Sequence, residues 1–421
     1  MASDGARRCH IVMAWLKWLN MWAKDSGRQH SPRQDLEVTV LISVVGFLVS
    51  FGFSLLAPVL PLYALTFGVD LAMVGVLVGS IGITKVALDI PAGVASDRVG
   101  TKRFMSLGLM TVTISAIVSA LAANVWMLLI GLVLQGAGSA VYFTSSYLAV
   151  SRLGPVSKRG RHLGLFVSLQ FLGSTSGPLL GGLFGQSFGL GTPFLIYALF
   201  AAASLVLVHF GVGSRVEGTG GRIDIHQLTS ALRDRTLAAI NVGLLAISVV
   251  RIGLIATVLP VFASQNLSMS PAEFGAVLTL FSLANFLTLL PAGALSDRMG
   301  RRPFMFASLV ATGLLVLLLS LSNDATSFAA IMVAMGAALG LTGPIGAWVS
   351  DVSRPAEMGA SMGLFRTMGD VGSFIGPVVL TIFLPGGEGA IGPAPFVLAG
   401  LVAIAAGLPL LGTRDPAAKR R

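Results

Sequence analysis

Gly93-Val94-Ala95-Ser96-Asp97-Arg98-Val99-Gly100-Thr101-Lys102-Arg103 and Gly293-Ala294-Leu295-Ser296-Asp297-Arg298-Met299-Gly300-Arg301-Arg302 are two copies of one pattern, 200 residues apart in a chain of 421. Working outward from each copy, the surroundings repeat as well. Pro91 and Pro291 precede the loops, and Gly75 and Gly275 stand at matching places upstream. Leu60-Pro61-Leu62-Tyr63 is answered by Leu259-Pro260-Val261-Phe262, and Gly173-x-x-x-Gly177-Pro178-x-x-Gly181-Gly182 by Gly372-x-x-x-Gly376-Pro377. The chain therefore reads as two related halves.

Composition says what medium those halves occupy. Hydrophobic residues make up 54% and charged residues 11%, against roughly 25% charged in a soluble domain. Such a chain has too little charge to cover a water-facing surface. A bilayer core asks for about 20 apolar residues per helix, and suitable runs lie at 38–60, 71–93, 104–122, 126–148, 163–185, 192–212, 238–262, 272–294, 304–322, 326–349, 362–384 and 391–411. The expected fold is all-α, with twelve transmembrane helices in two six-helix repeats, 38–212 and 238–412. A tail (1–37), a linker (213–237) and a basic tail (413–421) complete it. In the first tail, Trp15, Trp18, Trp22 and Leu19 suit one face of an interfacial helix; an irregular start is the other reading.

The basic residues orient this bundle. Arg98 to Arg103, Arg152 to Arg161, the linker arginines, Arg298 to Arg302, Arg354 and the final tail all fall on one side. The opposite loops hold Asp70, Asn124, Glu273, Asp324 and Glu388, with no Lys or Arg. Both termini are thus expected in the cytoplasm, in a multi-pass protein of the cell membrane. The net charge of +10 has no compact basic domain to present it, so nucleic acid is not an expected partner. The lone Cys9 excludes a disulfide framework. No phosphate-binding loop or His/Cys cluster is present, so no enzyme, metal or cofactor is expected.

The repeated loop resembles the signature of the major facilitator superfamily, over residues 38–412. The resemblance implies two six-helix halves around a cavity that opens alternately to each side. It implies a gating role for Gly93, Asp97, Arg98, Gly100 and Arg103, and for Gly293, Asp297, Arg298, Gly300 and Arg301. In the family this first Asp latches onto the eleventh helix, which implies an Asp97–Arg366 bridge in outward-facing states. The other reading pairs Arg366 with Asp370 one turn away. Val167 stands where a second Arg would, so the latch is one-sided. Gly173, Gly177, Pro178, Gly181 and Gly182, with Gly372, Gly376 and Pro377, resemble the antiporter motif of proton-coupled exporters. Small residues at this spacing also serve ordinary close helix packing.

Ionisable groups inside a membrane are costly unless paired or hydrated, so each is a functional candidate. They are Lys85, Asp89, Arg251, Arg366 and Asp370. Lys85/Asp89 and Arg366/Asp370 stand at i and i+4, where each pair can neutralise itself on one helix. They are packing pairs, or Asp89 or Asp370 couples transport to protons. Arg251 has no acid near it on its own helix and must find one across the cavity or stay hydrated. Three cations against two anions leave a positive charge suited to an anionic substrate. Gln135, Tyr142, Gln170 and Asn285, with Ser54, Ser145 and Trp348, are cavity candidates or interhelical hydrogen-bonders. The expected activity is proton-coupled export of small hydrophobic or amphipathic compounds by a monomer. Carriage of an organic anion or metabolite through Arg251 is the alternative, and a non-transporting receptor or scaffold the remote one. The usual drug-antiporter Arg three positions before Gln135 is Leu132 here, and the first helix has no carboxylate.

Overall fold

A computed structural model describes residues 32–153, 158–212, 234–354, 357–382, 390–413 and 415, the side chains at 32, 33, 94, 97 and 98 excepted. The Trp15–Trp22 segment, 213–233 of the expected linker, Glu388 and the basic residues at 414 and 419–421 lie outside the described residues. All regular structure among the described residues is helical. The first half contains α1 (Pro32–Ser54), α2 (Leu60–Leu65), α3 (Leu71–Val99), α4 (Thr101–Ala120), α5 (Val125–Arg152), α6 (Arg159–Phe188) and α7 (Thr192–Gly211). The second contains α8 (Arg235–Ser248), a π-helical segment (Val249–Val258), α9 (Leu259–Leu267), α10 (Pro271–Met299), α11 (Arg302–Leu319), α12 (Ala325–Gly340), α13 (Ile345–Val352), α14 (Met358–Ile382) and α15 (Ala394–Gly407). A short 3₁₀ turn, Leu408–Gly412, follows.

Helices suit lipid because every backbone polar group is satisfied within the segment. Eleven helices among the described residues are long and apolar enough to cross a membrane. α14, with 25 residues and both Arg366 and Asp370, falls outside that set. Two of the runs, each expected as one helix, are broken instead, and a third changes its winding without a break. Around Phe53 to Val59 the first run tightens to i→i−3 bonds, such as Leu56 N to Phe53 O at 3.1 Å, because Pro58 has no N–H to give. Pro344 separates α12 from α13 in the same way. The seventh run changes to π geometry over ten residues, and Thr257 Oγ1 donates to Ile252 O five residues back at 2.7 Å. Pro91, Pro178, Pro291 and Pro377, by contrast, sit inside helices that continue through them.

The polar residues opposite the basic face have a local purpose. The side chains of Asp70, Asn124, Ser270 and Asp324 accept backbone N–H groups at the starts of α3, α5, α10 and α12, satisfying donors that a helix start leaves unpaired. Asp324 is exposed, and the Ser327 N–H holds its carboxyl below the usual carboxylate range. At the other end of α3 and α10, Gly100 (φ 108°) and Gly300 (φ 94°) turn the chain in a region that L side chains avoid. This is why both copies of the loop motif need glycine there.

Two apolar cores form, one from Ile42 to Val212 and one from Leu237 to Leu410. The halves meet along two seams, α3 on α14 and α6 on α10. In the first seam Gly75 lies against Thr381 and Pro377, and Gly79 against Phe374 and Val378. In the second, Gly182 lies against Pro271, Gly275 against Pro178, and Leu179 N donates to Thr279 Oγ1 at 3.1 Å. These contacts fix the ends. The start of α3 meets the finish of α14, and the finish of α6 meets the start of α10, so the Asp97 and Asp297 loops share one end of the bundle.

The seams are tight toward the opposite end. At the basic end a Cβ added at Gly160, Gly164, Gly293, Gly359 or Gly363 would meet no atom within 4 Å. The halves are thus parted at the basic end and closed at the other. Within the first half, α6 lies so near α1 that a Cβ at Gly181 would fall onto the Leu55 backbone. Gly181→Val is expected to cost about 2 kcal/mol through forced separation of these helices. A lower midpoint of thermal unfolding in detergent would register it; an unchanged midpoint would contradict the packing.

Candidate functional site

The antiparallel seam of α3 and α14 carries the site. On α3 the residues facing α14 recur at helical spacing, Gly75, Gly79, Gly82, then Lys85 and Asp89. On α14 the opposing series runs Thr381, Val378, Phe374, Asp370 and Arg366. Glycine on one strip lets the backbones touch: a Cβ at Gly82 would stand 2.7 Å from Phe374 N. That register brings Lys85 level with Asp370 and Asp89 level with Arg366.

Lys85 Nζ donates to Asp370 Oδ1, an ion pair that crosses between the halves. This corrects the expectation that each i, i+4 pair neutralises itself on its own helix. The reason is the glycine strip, which brings α14 nearer to Lys85 than a surface neighbour one turn along would be. Asp370 is buried, 7% exposed. Both oxygens of Asp89 are buried without a hydrogen-bond partner; the charges acting on it are Arg366, Lys85 and Asp370. Arg366 itself lies over the Tyr147 ring of α5, 5.2 Å from its centroid, a cation–π contact that also joins the two halves.

The gating candidates are placed as follows. The side chains of Asp97 and Arg98 lie outside the described residues, and Arg366 stands about two turns away, at the level of Asp89. Arg103, Asp297 and Arg298 are exposed, and Gly93 is half-buried near Thr144. In the second copy Arg301 pairs with Asp297 at 3.1 Å and with Asp351 of α13 at 2.6 Å, tying that loop to its own half. Arg302 N donates to Asp415 at 2.9 Å. Gly173 and Gly177 lie against Phe47 and Phe51 of α1, Gly372 against Leu245 of α8, and Gly376 against Gly253 of the π segment.

Arg251 occupies that π segment, and its Nε is buried with no hydrogen-bond partner. It has found neither Asp89 nor Asp370. Gln135 has its needs met inside the first half: Nε2 donates to Tyr197 Oη at 2.7 Å and Oε1 accepts from Ser115 at 3.1 Å. Tyr142 is fully buried against Gly108. Asn285 donates to Gly336 O at 3.2 Å. Ser54 donates to Phe51 O at 2.9 Å. Ser145 and Trp348 are buried, and Gln170 Nε2 is buried without a partner. Gln135→Leu is expected to cost about 1–3 kcal/mol by stranding the Tyr197 hydroxyl while leaving substrate preference alone. A changed preference at unchanged stability would place Gln135 in the substrate path.

Sequence reasoning missed Tyr147, Tyr197 and the π segment. Tyr147 stands one turn from Phe143 on an apolar helix, and nothing local distinguishes it from a core aromatic. Its signal is pairing with an arginine on another half.

Comparison with known proteins agrees with this architecture. The family described as Major Facilitator Superfamily matches residues 42–250 and 242–421. An uncharacterized MFS-type transporter of Methanocaldococcus jannaschii is 24% identical over 345 residues, covering 80% of this chain and 89% of that protein. The multidrug resistance protein MdtG of Salmonella arizonae is 27% identical over 305 residues, 70% of this chain and 75% of the relative. The crystal structure of the nucleoside transporter NupG aligns with a TM-score of 0.73 at 13% identity, over 89% of this chain and 98% of that one.

Proposed function

The chain belongs to the major facilitator superfamily, and we propose from that premise that it exports small hydrophobic or amphipathic compounds by proton-coupled alternating access. Residues 38–212 and 238–412 act as two six-helix units, with α14 as the eleventh span in order and completing twelve, residues 213–237 as linker, and both termini in the cytoplasm. The protein works as a monomer in the cell membrane. The likeness to MdtG supports the substrate class.

The observation that carries the reading is the Lys85–Asp370 pair between α3 and α14. Parting the opposite end must break it, and breaking a pair in apolar surroundings leaves two costly bare charges. A proton on Asp370 removes one of them, so proton occupancy and the rocking of the halves become linked. Gly93, Asp97, Arg98, Gly100, Arg103 and their second-half counterparts act at the basic end, where the added Cβ atoms of Gly160, Gly164, Gly293, Gly359 and Gly363 meet open space. The glycines at 173, 177, 181, 182, 372 and 376, with Pro178 and Pro377, keep the moving helices close.

The buried Nε of half-buried Arg251, which has no hydrogen-bond partner, favours a second reading, carriage of an organic anion. One experiment separates the two. Purified protein in liposomes under an imposed pH gradient is offered a lipophilic cation and, separately, an organic anion. Gradient-driven cation flux that survives Arg251→Ala supports the first reading; anion flux lost on Arg251→Ala supports the second. No gradient-dependent flux of either solute refutes both.

A further inference from the structure

We propose that Lys85, Asp89, Arg366 and Asp370 form a partner-exchanging quartet, with Lys85 on Asp370 across the helices in the state described and each cation paired along its own helix when α3 and α14 part. The inference rests on the alternating-access reading above and adds the device that makes rocking affordable in a low-dielectric seam.

Three observations carry it. First, each helix brings one cation and one anion, at i and i+4, about 6 Å apart at Cβ. Second, neither of those same-helix partners is used as a hydrogen bond here: Lys85 donates to Asp370, and Arg366 lies over Tyr147. Third, both Asp89 oxygens are buried and accept no hydrogen bond from a cation, although Lys85 and Arg366 act on that carboxylate and the Asp370 carboxyl stands beside it. Asp89 is therefore poorly served in this state, and a second partner is waiting one turn away.

Opening the opposite end carries Lys85 and Asp89 away together on α3, and Arg366 and Asp370 together on α14. Rotation of the long Lys85 stem delivers its ammonium to Asp89, and Arg366 leaves the Tyr147 ring for Asp370. In the parted state each cation then has the acid of its own helix as partner, whereas in the state described Lys85 and Asp370 are paired and Asp89 has no hydrogen-bond partner. The other elements packed on α14 bring no carboxylate to this level. Asp351 of α13 is engaged with Arg301 at the basic end, α15 has no charged residue, and the π segment adds only Arg251.

The test needs no substrate. Gln186 Oε1 accepts from Ala272 N at 3.4 Å across the closed end, so cysteines at these two positions in a Cys9→Ser protein, treated with a short bifunctional maleimide in liposomes, report how often that end is closed. Asp89→Asn removes the second seat of Lys85 and is expected to raise the closed-to-open ratio about tenfold. Adding Lys85→Ala to Asp89→Asn removes the stranded cation and the cross-pair together, and is expected to return the ratio to the unsubstituted level or below. Asp89→Glu is expected to leave the ratio unchanged, and it controls for folding together with a monodisperse size-exclusion profile. An unchanged ratio in Asp89→Asn, or a ratio that Lys85→Ala does not lower, overturns the quartet. Absence of any gradient-driven flux with these ratios as expected would instead overturn the proton-coupled reading and leave the quartet standing.

Discussion

Asp370→Asn is expected to abolish gradient-driven accumulation while leaving exchange of labelled for unlabelled solute across the same liposomes intact. A difference of about two pH units stores about 2.7 kcal/mol per proton, enough for about a hundredfold accumulation of a monovalent cation exchanged one for one. An amide occupies nearly the same volume as the carboxylate and stays hydrogen-bonded to Lys85 through its oxygen, so the seam can still open and close. It cannot exchange a proton. Accumulation ratios near one with preserved exchange are the expected pair of results. Preserved accumulation would remove Asp370 from the coupling step, and loss of both activities would mark it as a packing residue of the α3–α14 seam.

Lys85→Ala is expected to be the most damaging single change to stability. It leaves the Asp370 carboxylate buried beside Asp89 without its hydrogen-bonding cation, and removal of one member of a buried pair costs about 3–5 kcal/mol. Removing Asp370 as well should recover most of that loss, since the double change Lys85→Ala/Asp370→Ala strands no charge. The comparison is a double-mutant cycle on thermal unfolding in one detergent. Additive costs, with the double variant weaker than either single, would mean that the two side chains contribute through packing and not through each other.

The features of the fold that were legible in the sequence are those that repeat along it. Gly93 to Arg103 and Gly293 to Arg302 announce two halves, because that signal depends on residue type and spacing alone. The charged quartet was legible as a set of residues but not as a set of partners. Periodicity along α3 places Lys85 and Asp89 on one stripe, yet which stripe of which helix lies opposite depends on the approach that Gly75, Gly79 and Gly82 permit. The same limit hid Tyr147. The π segment around Arg251 was not legible at all: Val249 to Val258 is an ordinary apolar run, and its wider turn answers to packing, with Gly253 against Gly376. Breaks at Pro58 and Pro344 are local and follow from the missing N–H, while Pro91 and Pro291 show that a proline alone does not end a helix held by its neighbours.

Rocking of the two halves about the Lys85–Asp370 seam is measured most directly by paired electron–electron distances in liposomes across a pH series. Spin labels at 159 and 359 report the parted basic end, and labels at 123 and 323 report the closed opposite end. Opposite changes are predicted, the first distance shortening as the second lengthens. Distances that stay fixed, or that move together in the same direction, would contradict rocking.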